Sequence, residues 1–115
     1  MYKTDFYIAM SGTGKDCRTF SHYDKKSGWG ETLFAPYGTA VEIRYHKTTG
    51  RTWTATEATT GFGVPVGVFK SRSELKNNIS PDILRAIVGL LRQASSREAI
   101  ERLTEYTAAN PINVR

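Results

Sequence analysis

One glycine-rich loop carries residue types that could cradle a phosphate group. Ser11-Gly12-Thr13-Gly14-Lys15-Asp16 follows a predicted strand, and its Gly-Lys pair lies where a phosphate-binding P-loop has one. That chemistry needs a hydroxyl after the lysine for magnesium and a helix N-terminus facing the phosphates. Asp16 replaces the hydroxyl, and no helical pattern follows. We interpret the loop as a glycine turn, in which Gly12, Thr13, Gly14 and Lys15 could offer amides and one cation to an anion without catalysis.

Nucleophilic and metal chemistry have little support in the remaining residues. Cys17, His22 and Asp24 are the types of a nucleophile, a base and an orienting acid, but such triads usually meet across a fold rather than along the chain. The single cysteine and the two histidines, His22 and His46, show no ligand spacing for a metal. We therefore expect no catalytic residue, no metal and no cofactor.

A second candidate is one side of a small sheet predicted between residues 40 and 69. Three alternating runs each divide into two sides. Helices would cover the side made of Val41, Ile43, Tyr45, Trp53, Ala55, Val64, Val66 and Val68. Water would meet the side made of Arg44, His46, Thr52, Thr54, Thr56 and Phe69. Lys47 and Arg51 flank a hairpin loop, and Lys70 and Arg72 follow the third run. The candidate ligand-binding residues are Arg44, His46, Lys47, Arg51, Trp53, Phe69, Lys70 and Arg72. Cations beside aromatic rings suit phosphate contacts and base stacking.

A structural interpretation of that side stays open. Threonine is favoured at exposed strand positions, and the charges could simply keep the sheet surface hydrated. The net charge of +5 favours anionic partners, since residues 1–80 carry 11 Lys and Arg against 7 Asp and Glu. Many soluble domains nevertheless carry a few surplus cations for solubility.

Strands must position these residues, and their patterns are uneven. Alternation predicts strands at 4–10, 41–46, 51–56 and 64–69, the last at an edge or after a bulge because Pro65 cannot donate a hydrogen bond. Residues 18–23 and 33–35 are weaker candidates. The glycine-containing segment 24–30 reads as a loop. Residues 46–51, which include Gly50, predict a hairpin.

Helix starts are the clearest features of the second half of the chain. Ser71 with Glu74 fits a capping box for a short helix ending near Asn77-Asn78. Ser80 followed by Pro81 predicts a second helix, and Ser95 with Glu98 predicts a third, ending at Asn110-Pro111. The short connection between the last two predicts a helical hairpin.

These elements predict one α+β domain over residues 1–115. It has a small antiparallel sheet of four to six strands in residues 1–70, and a short helix and a C-terminal helical hairpin packed on one face in residues 71–109. Residues 110–115 would form a loose tail. The chain lacks a signal-peptide pattern and an apolar run long enough for a membrane, and its lone Cys17 favours a reducing, cytoplasmic setting.

Three function classes remain open at this point. The first is a non-catalytic binder of nucleic acid or a nucleotide-like anion, acting through the basic sheet face and hairpin loop. The second is a compact protein-interaction or inhibitor module, for example one made by a phage or mobile element against a host protein, with a homodimer through an edge strand as one form. The third is a small enzyme. No membrane partner is expected.

Overall fold

The computed structural model describes residues 1–10, 22–48 and 50–112, which form four strands and three α-helices. The strands are β1 (Tyr2–Met10), β2 (His22–Phe34), β3 (Ala40–Lys47) and β4 (Trp53–Glu57), and the helices are α1 (Arg72–Asn77), α2 (Pro81–Leu91) and α3 (Ala94–Ala109). This confirms the predicted α+β class. None of the helices in the described ranges has the length and apolar character needed to cross a bilayer.

The four strands form one antiparallel sheet in the order β1-β2-β3-β4. β2 is long because it pairs with both neighbours: residues 22–30 pair with β1, and residues 29–34 pair with β3. The prediction that residues 24–30 form a loop is therefore wrong. Gly28 and Gly30, which suggested a turn, lie inside this strand and allow it to bend.

One face of the sheet packs against the helices, and we call it the helix-covered face. Val41, Ile43 and Tyr45 from β3 and Ala55 from β4 are buried there with Leu75, Ile79, Leu84 and Ile87 from the helical half. Alternation along β3 thus places its apolar residues as predicted. Val68, which was also expected to face the helices, is exposed instead.

The opposite face is covered by the coiled sheet and, near β1, by α3, and we call it the inner face. Across the bend, the Phe6 and His46 rings approach to 5.4 Å between centroids. A Cβ on Gly28 would lie 2.0 Å from the Tyr45 carbonyl oxygen, so only glycine fits there. The Ala9 amide donates to the Gly61 carbonyl at 2.8 Å, which ties β1 to the turn after β4. The sheet therefore coils, and its second side becomes an interior.

The predicted strand at 64–69 is absent. Single bridges link Phe69 to Trp53 and Gly63 to Thr56, while Pro65 and Val66 lie in a turn. Gly67 has a φ of 82°. Pro65 has no amide hydrogen and Gly67 takes a left-handed conformation, so continuous pairing along β4 is interrupted.

Two of the three predicted helix starts have their expected caps. The Ser71 hydroxyl accepts from the Glu74 amide at 3.1 Å, and the Ser80 hydroxyl accepts from the Ile83 amide at 3.2 Å. The third prediction is wrong in detail: α3 begins at Ala94 after Gln93, which provides no side-chain cap. Only two residues separate α2 from α3, so the turn ends before the predicted capping box begins.

Candidate nucleic-acid interface

The end of the sheet at the β3–β4 hairpin gathers cations around aromatic rings. Lys47 pairs with Trp53 across the hairpin, and Trp53 exchanges two backbone hydrogen bonds with Phe69, at 2.7 and 2.9 Å. Lys70 follows directly, and Arg51 lies in the hairpin loop next to Gly50, whose φ is 86°. We name this set the hairpin-end patch. Its members are Trp29, Lys47, Arg51, Trp53, Phe69, Lys70 and Arg72.

Two cations of the patch lie over tryptophan rings. The Lys47 Nζ lies 5.6 Å from the Trp53 ring centroid, and the Arg72 Cζ lies 4.6 Å from that of Trp29. Both rings are half-buried against the core. The ring quadrupole attracts each cation, so these charged groups are held in place without a carboxylate partner from the described part of the chain.

An ion pair fixes the helix that carries Arg72. Lys76 of α1 donates to Glu31 of β2 at 2.6 Å, and the Tyr45 hydroxyl donates to the same carboxylate at 2.9 Å. Burial would raise the pKa of Glu31, but the hydrogen bonds from Lys76 and Tyr45 outweigh it and lower the pKa. Burial, and then the bond to Glu31, raise the pKa of Tyr45. The ionised Glu31 thus anchors α1 beside the sheet end.

The cations of the patch are not neutralised by acids of the described part of the chain. Lys47, Arg51, Lys70 and Arg72 form no ion pair with any residue in the described ranges. Lys76, Arg85 and Arg102 each have a carboxylate within 4 Å. The patch therefore keeps its positive field available to an anion.

Two of the predicted binding residues lie elsewhere, on the inner face. The expectation of a water-facing side is wrong for His46, which is 5% exposed, because the coiled sheet covers it. The Arg44 side chain is 15% exposed, lies over the Tyr2 ring and has Glu42 at 3.5 Å. Phe69, expected on the same side as Arg44, packs against the core of the helix-covered face. The predicted set is thus split between two environments.

His46 is a buried neutral base. Its Nε2 lies 2.8 Å from the Thr56 hydroxyl, and its Nδ1 has no hydrogen-bond partner of normal geometry within the described ranges. Burial lowers the pKa of His46. The Lys47 backbone acts in the opposite direction through a hydrogen-bonding interaction, and the positive charge of Lys26 lowers the pKa further. A phosphate contact through His46 would need the sheet to open.

Sequence reasoning missed Trp29 as a functional candidate. The glycines on either side of Trp29 predict a loop, whereas Trp29 lies in β2 opposite Tyr45 of β3. The residues with side chains, Ser27, Trp29 and Glu31, alternate with Gly28 and Gly30, and this period of two is the indication of a strand that the sequence offers. The anion-binding loop predicted at Gly12, Thr13, Gly14 and Lys15, and Cys17 with it, lie outside the described residues. Within the described ranges, no cluster of three His, Cys, Asp or Glu side chains could hold a metal.

Comparisons with protein-family models, curated proteins and solved structures gave no match. The chemistry of the site therefore rests on its own geometry.

Proposed function

We propose that this protein is a non-catalytic binder of nucleic acid or a nucleotide-like anion, and that the ligand lies on the hairpin-end patch. The observation that carries the proposal is four cations, Lys47, Arg51, Lys70 and Arg72, none with an ion-pair partner among the described residues, beside three half-buried aromatic rings. Surface cations next to stacking platforms are typical of proteins that bind single strands.

The arrangement favours a single strand over a duplex. Phosphates would contact Lys47, Lys70, the loop residue Arg51 and the edge of the Arg72 guanidinium. The Arg72 guanidinium, whose Cζ lies 4.6 Å from the Trp29 ring centroid, also offers a plane on which an unpaired base can stack. A base could also displace Lys47 from the Trp53 ring. In a duplex the flat faces of the bases are stacked on one another and cannot contact Trp53 or Arg72. A duplex would therefore gain only the phosphate contacts.

Fluorescence anisotropy with a short labelled oligothymidylate tests the proposal. Four phosphate contacts predict that log K falls with log salt concentration with a slope of about −3, since each contact on a single strand contributes roughly −0.7. The double variant Arg51→Gln/Lys70→Gln should lose affinity and reduce the slope by about 1.4. Arg85→Gln/Arg97→Gln removes the same net charge from the exposed helices and should change the slope far less.

Two outcomes would contradict the proposal. One is the absence of binding, or binding that does not depend on salt. The other is an equal loss of affinity in the two double variants, because a diffuse attraction to net charge needs no defined patch.

A protein-interaction role is a second candidate, favoured by exposed aromatics at the β2–β3 turn. Phe34 is 66% exposed, and Tyr37 is fully exposed with a φ of 71°. Large exposed aromatic side chains next to each other mark contact surfaces more often than scattered ones do. Residues 64–69 do not form a continuous strand, so they do not provide the sheet edge that was expected to pair with a partner. Light scattering across protein concentrations tests self-association, which Phe34→Ser/Tyr37→Ser should abolish.

A further inference from the structure

A cavity of about 240 Å³ lies between β1 and α3, away from the hairpin-end patch. Its walls include Tyr2, Asp5 and Phe6 from β1, Arg44 from β3, Leu103 and Thr107 from α3, and Ile112. The Asp5 carboxylate accepts a hydrogen bond from the Ser27 hydroxyl of β2 at 2.5 Å. A shallower hollow of about 290 Å³ shares Leu103 and Thr107 with it, so the two spaces adjoin along α3. The cavity is smaller than most drug-binding pockets, which suits a ligand with one ring or a short chain.

Gly30 of β2 lets two cavity-lining side chains approach each other. Gly30 has no side chain, and Tyr2 and Arg44 from the flanking strands meet above it: an added Cβ would lie 2.7 Å from the Tyr2 ring and 2.9 Å from the Arg44 Nη1. The Arg44 guanidinium lies over that ring, 5.4 Å from its centroid. Arg44 is therefore held at the cavity wall by packing as well as by charge.

Arg44 keeps hydrogen-bonding capacity there. Its Nη1 donates to its neighbour's carbonyl, Ile43 O, at 3.1 Å and lies 3.5 Å from Glu42 Oε2. That carboxylate also accepts from the Thr32 hydroxyl at 2.6 Å, through Oε1. Within the described ranges, Nε and Nη2 of Arg44 have no partner. These two nitrogens form the side of the guanidinium that binds a carboxylate with two parallel hydrogen bonds.

We infer that this cavity binds a small organic carboxylate, with its charged end on Nε and Nη2 of Arg44 and its apolar body against Phe6, Leu103 and Ile112. The apolar walls alone would accept a neutral molecule. The largely buried Arg44 cation adds a preference for an anion, because a charge-assisted pair is stronger away from bulk water. This site is independent of the hairpin-end patch and of the function proposed for it.

Amide NMR spectra recorded with 4-methylbenzoate as the probe test the inference, and 4-methylbenzyl alcohol is the matched neutral control. The acid should shift the amide signals of Tyr2, Arg44, Leu103 and Thr107 in a saturable way. It should bind the native chain at least about tenfold more tightly than the alcohol does, and Arg44→Gln should remove that difference.

Thr107→Trp provides a second variant that leaves Arg44 in place. Residue 107 is exposed at the cavity wall, so the indole should fill the space without disturbing the fold, and binding of the acid should be lost. The inference is overturned by equal affinity for acid and alcohol, by shifts confined to the hairpin-end patch, or by unchanged binding in a folded Thr107→Trp protein.

Discussion

The inner face and the hairpin-end patch each take a basic residue from β3 and give it opposite surroundings. Arg44 and His46 lie two residues apart on the inner face of β3. Lys47, one residue after His46, lies on the opposite face. His46 is buried and neutral and Arg44 is largely covered, whereas Lys47 is exposed and lies over Trp53. Neighbouring positions in sequence thus differ in whether a ligand can reach them.

The difference shows what strand alternation does and does not determine. A period of two separates the two sides of a strand, but it does not state which side meets water. Here the bend at Gly28 and Gly30 determines which side is shielded from water, because it brings β1 and the turn after β4 over the inner face. A polar side of a strand is solvent-facing only if the sheet stays open.

The largest expected effect comes from breaking that bend. Gly28→Ala would place a Cβ 2.0 Å from the Tyr45 carbonyl oxygen, an atom that cannot move without shifting β3. We expect the free energy of unfolding to fall by about 3 kcal/mol or more, measured by urea denaturation. The inner face should also become accessible, with faster hydrogen exchange at Arg44 and His46.

Two other glycine substitutions serve as controls. A Cβ on Gly30 meets side-chain atoms of Tyr2 and Arg44 rather than backbone atoms, so Gly30→Ala should cost less than Gly28→Ala. Gly89 lies in α2 with nothing within 4 Å, and Gly89→Ala should stabilise the protein by about 0.5–1 kcal/mol. Equal losses in Gly28→Ala and Gly30→Ala would contradict the role given to the close approach at Gly28.

A smaller effect should follow from the proton on His46. An unfolded histidine takes up a proton as the pH falls below about 6.5, but burial lowers the pKa of His46 in the folded protein. The unfolded state then binds more protons, so stability is fully present above pH 6.5 and declines as the pH falls toward the folded pKa. The decline attributable to this residue cannot exceed about 1.4 kcal/mol per pH unit.

Urea denaturation of the native protein and His46→Gln between pH 5 and pH 8 measures this contribution. Glutamine can still bond to Thr56 but does not titrate in this range. The difference between the two proteins should shrink as the pH falls. A constant difference would show that His46 titrates in the folded state as it does in the unfolded chain.

Local patterns predicted those parts of the fold that local chemistry controls. Ser71 and Ser80 cap helices as expected because a cap needs only neighbouring residues. The strand character of residues 24–30 depended on pairing with β1 and β3, which lie far along the chain. For the same reason, Lys47, Arg51, Lys70 and Arg72 were recognised as candidates, whereas Trp29 and the covering of His46 required the three-dimensional register.

The smallest effect concerns Arg72 and separates stacking from charge within the patch. Arg72→Lys keeps the positive charge but loses the planar guanidinium over Trp29. A stacked cation at an exposed site contributes about 0.5–1 kcal/mol, so oligothymidylate affinity should fall about two- to fivefold while the salt slope stays unchanged. Arg72→Gln should lower affinity further and reduce the slope by about 0.7. If the lysine variant binds as tightly as the native protein, Arg72 acts only as a charge, and the patch is a phosphate site without a base-stacking platform at Trp29.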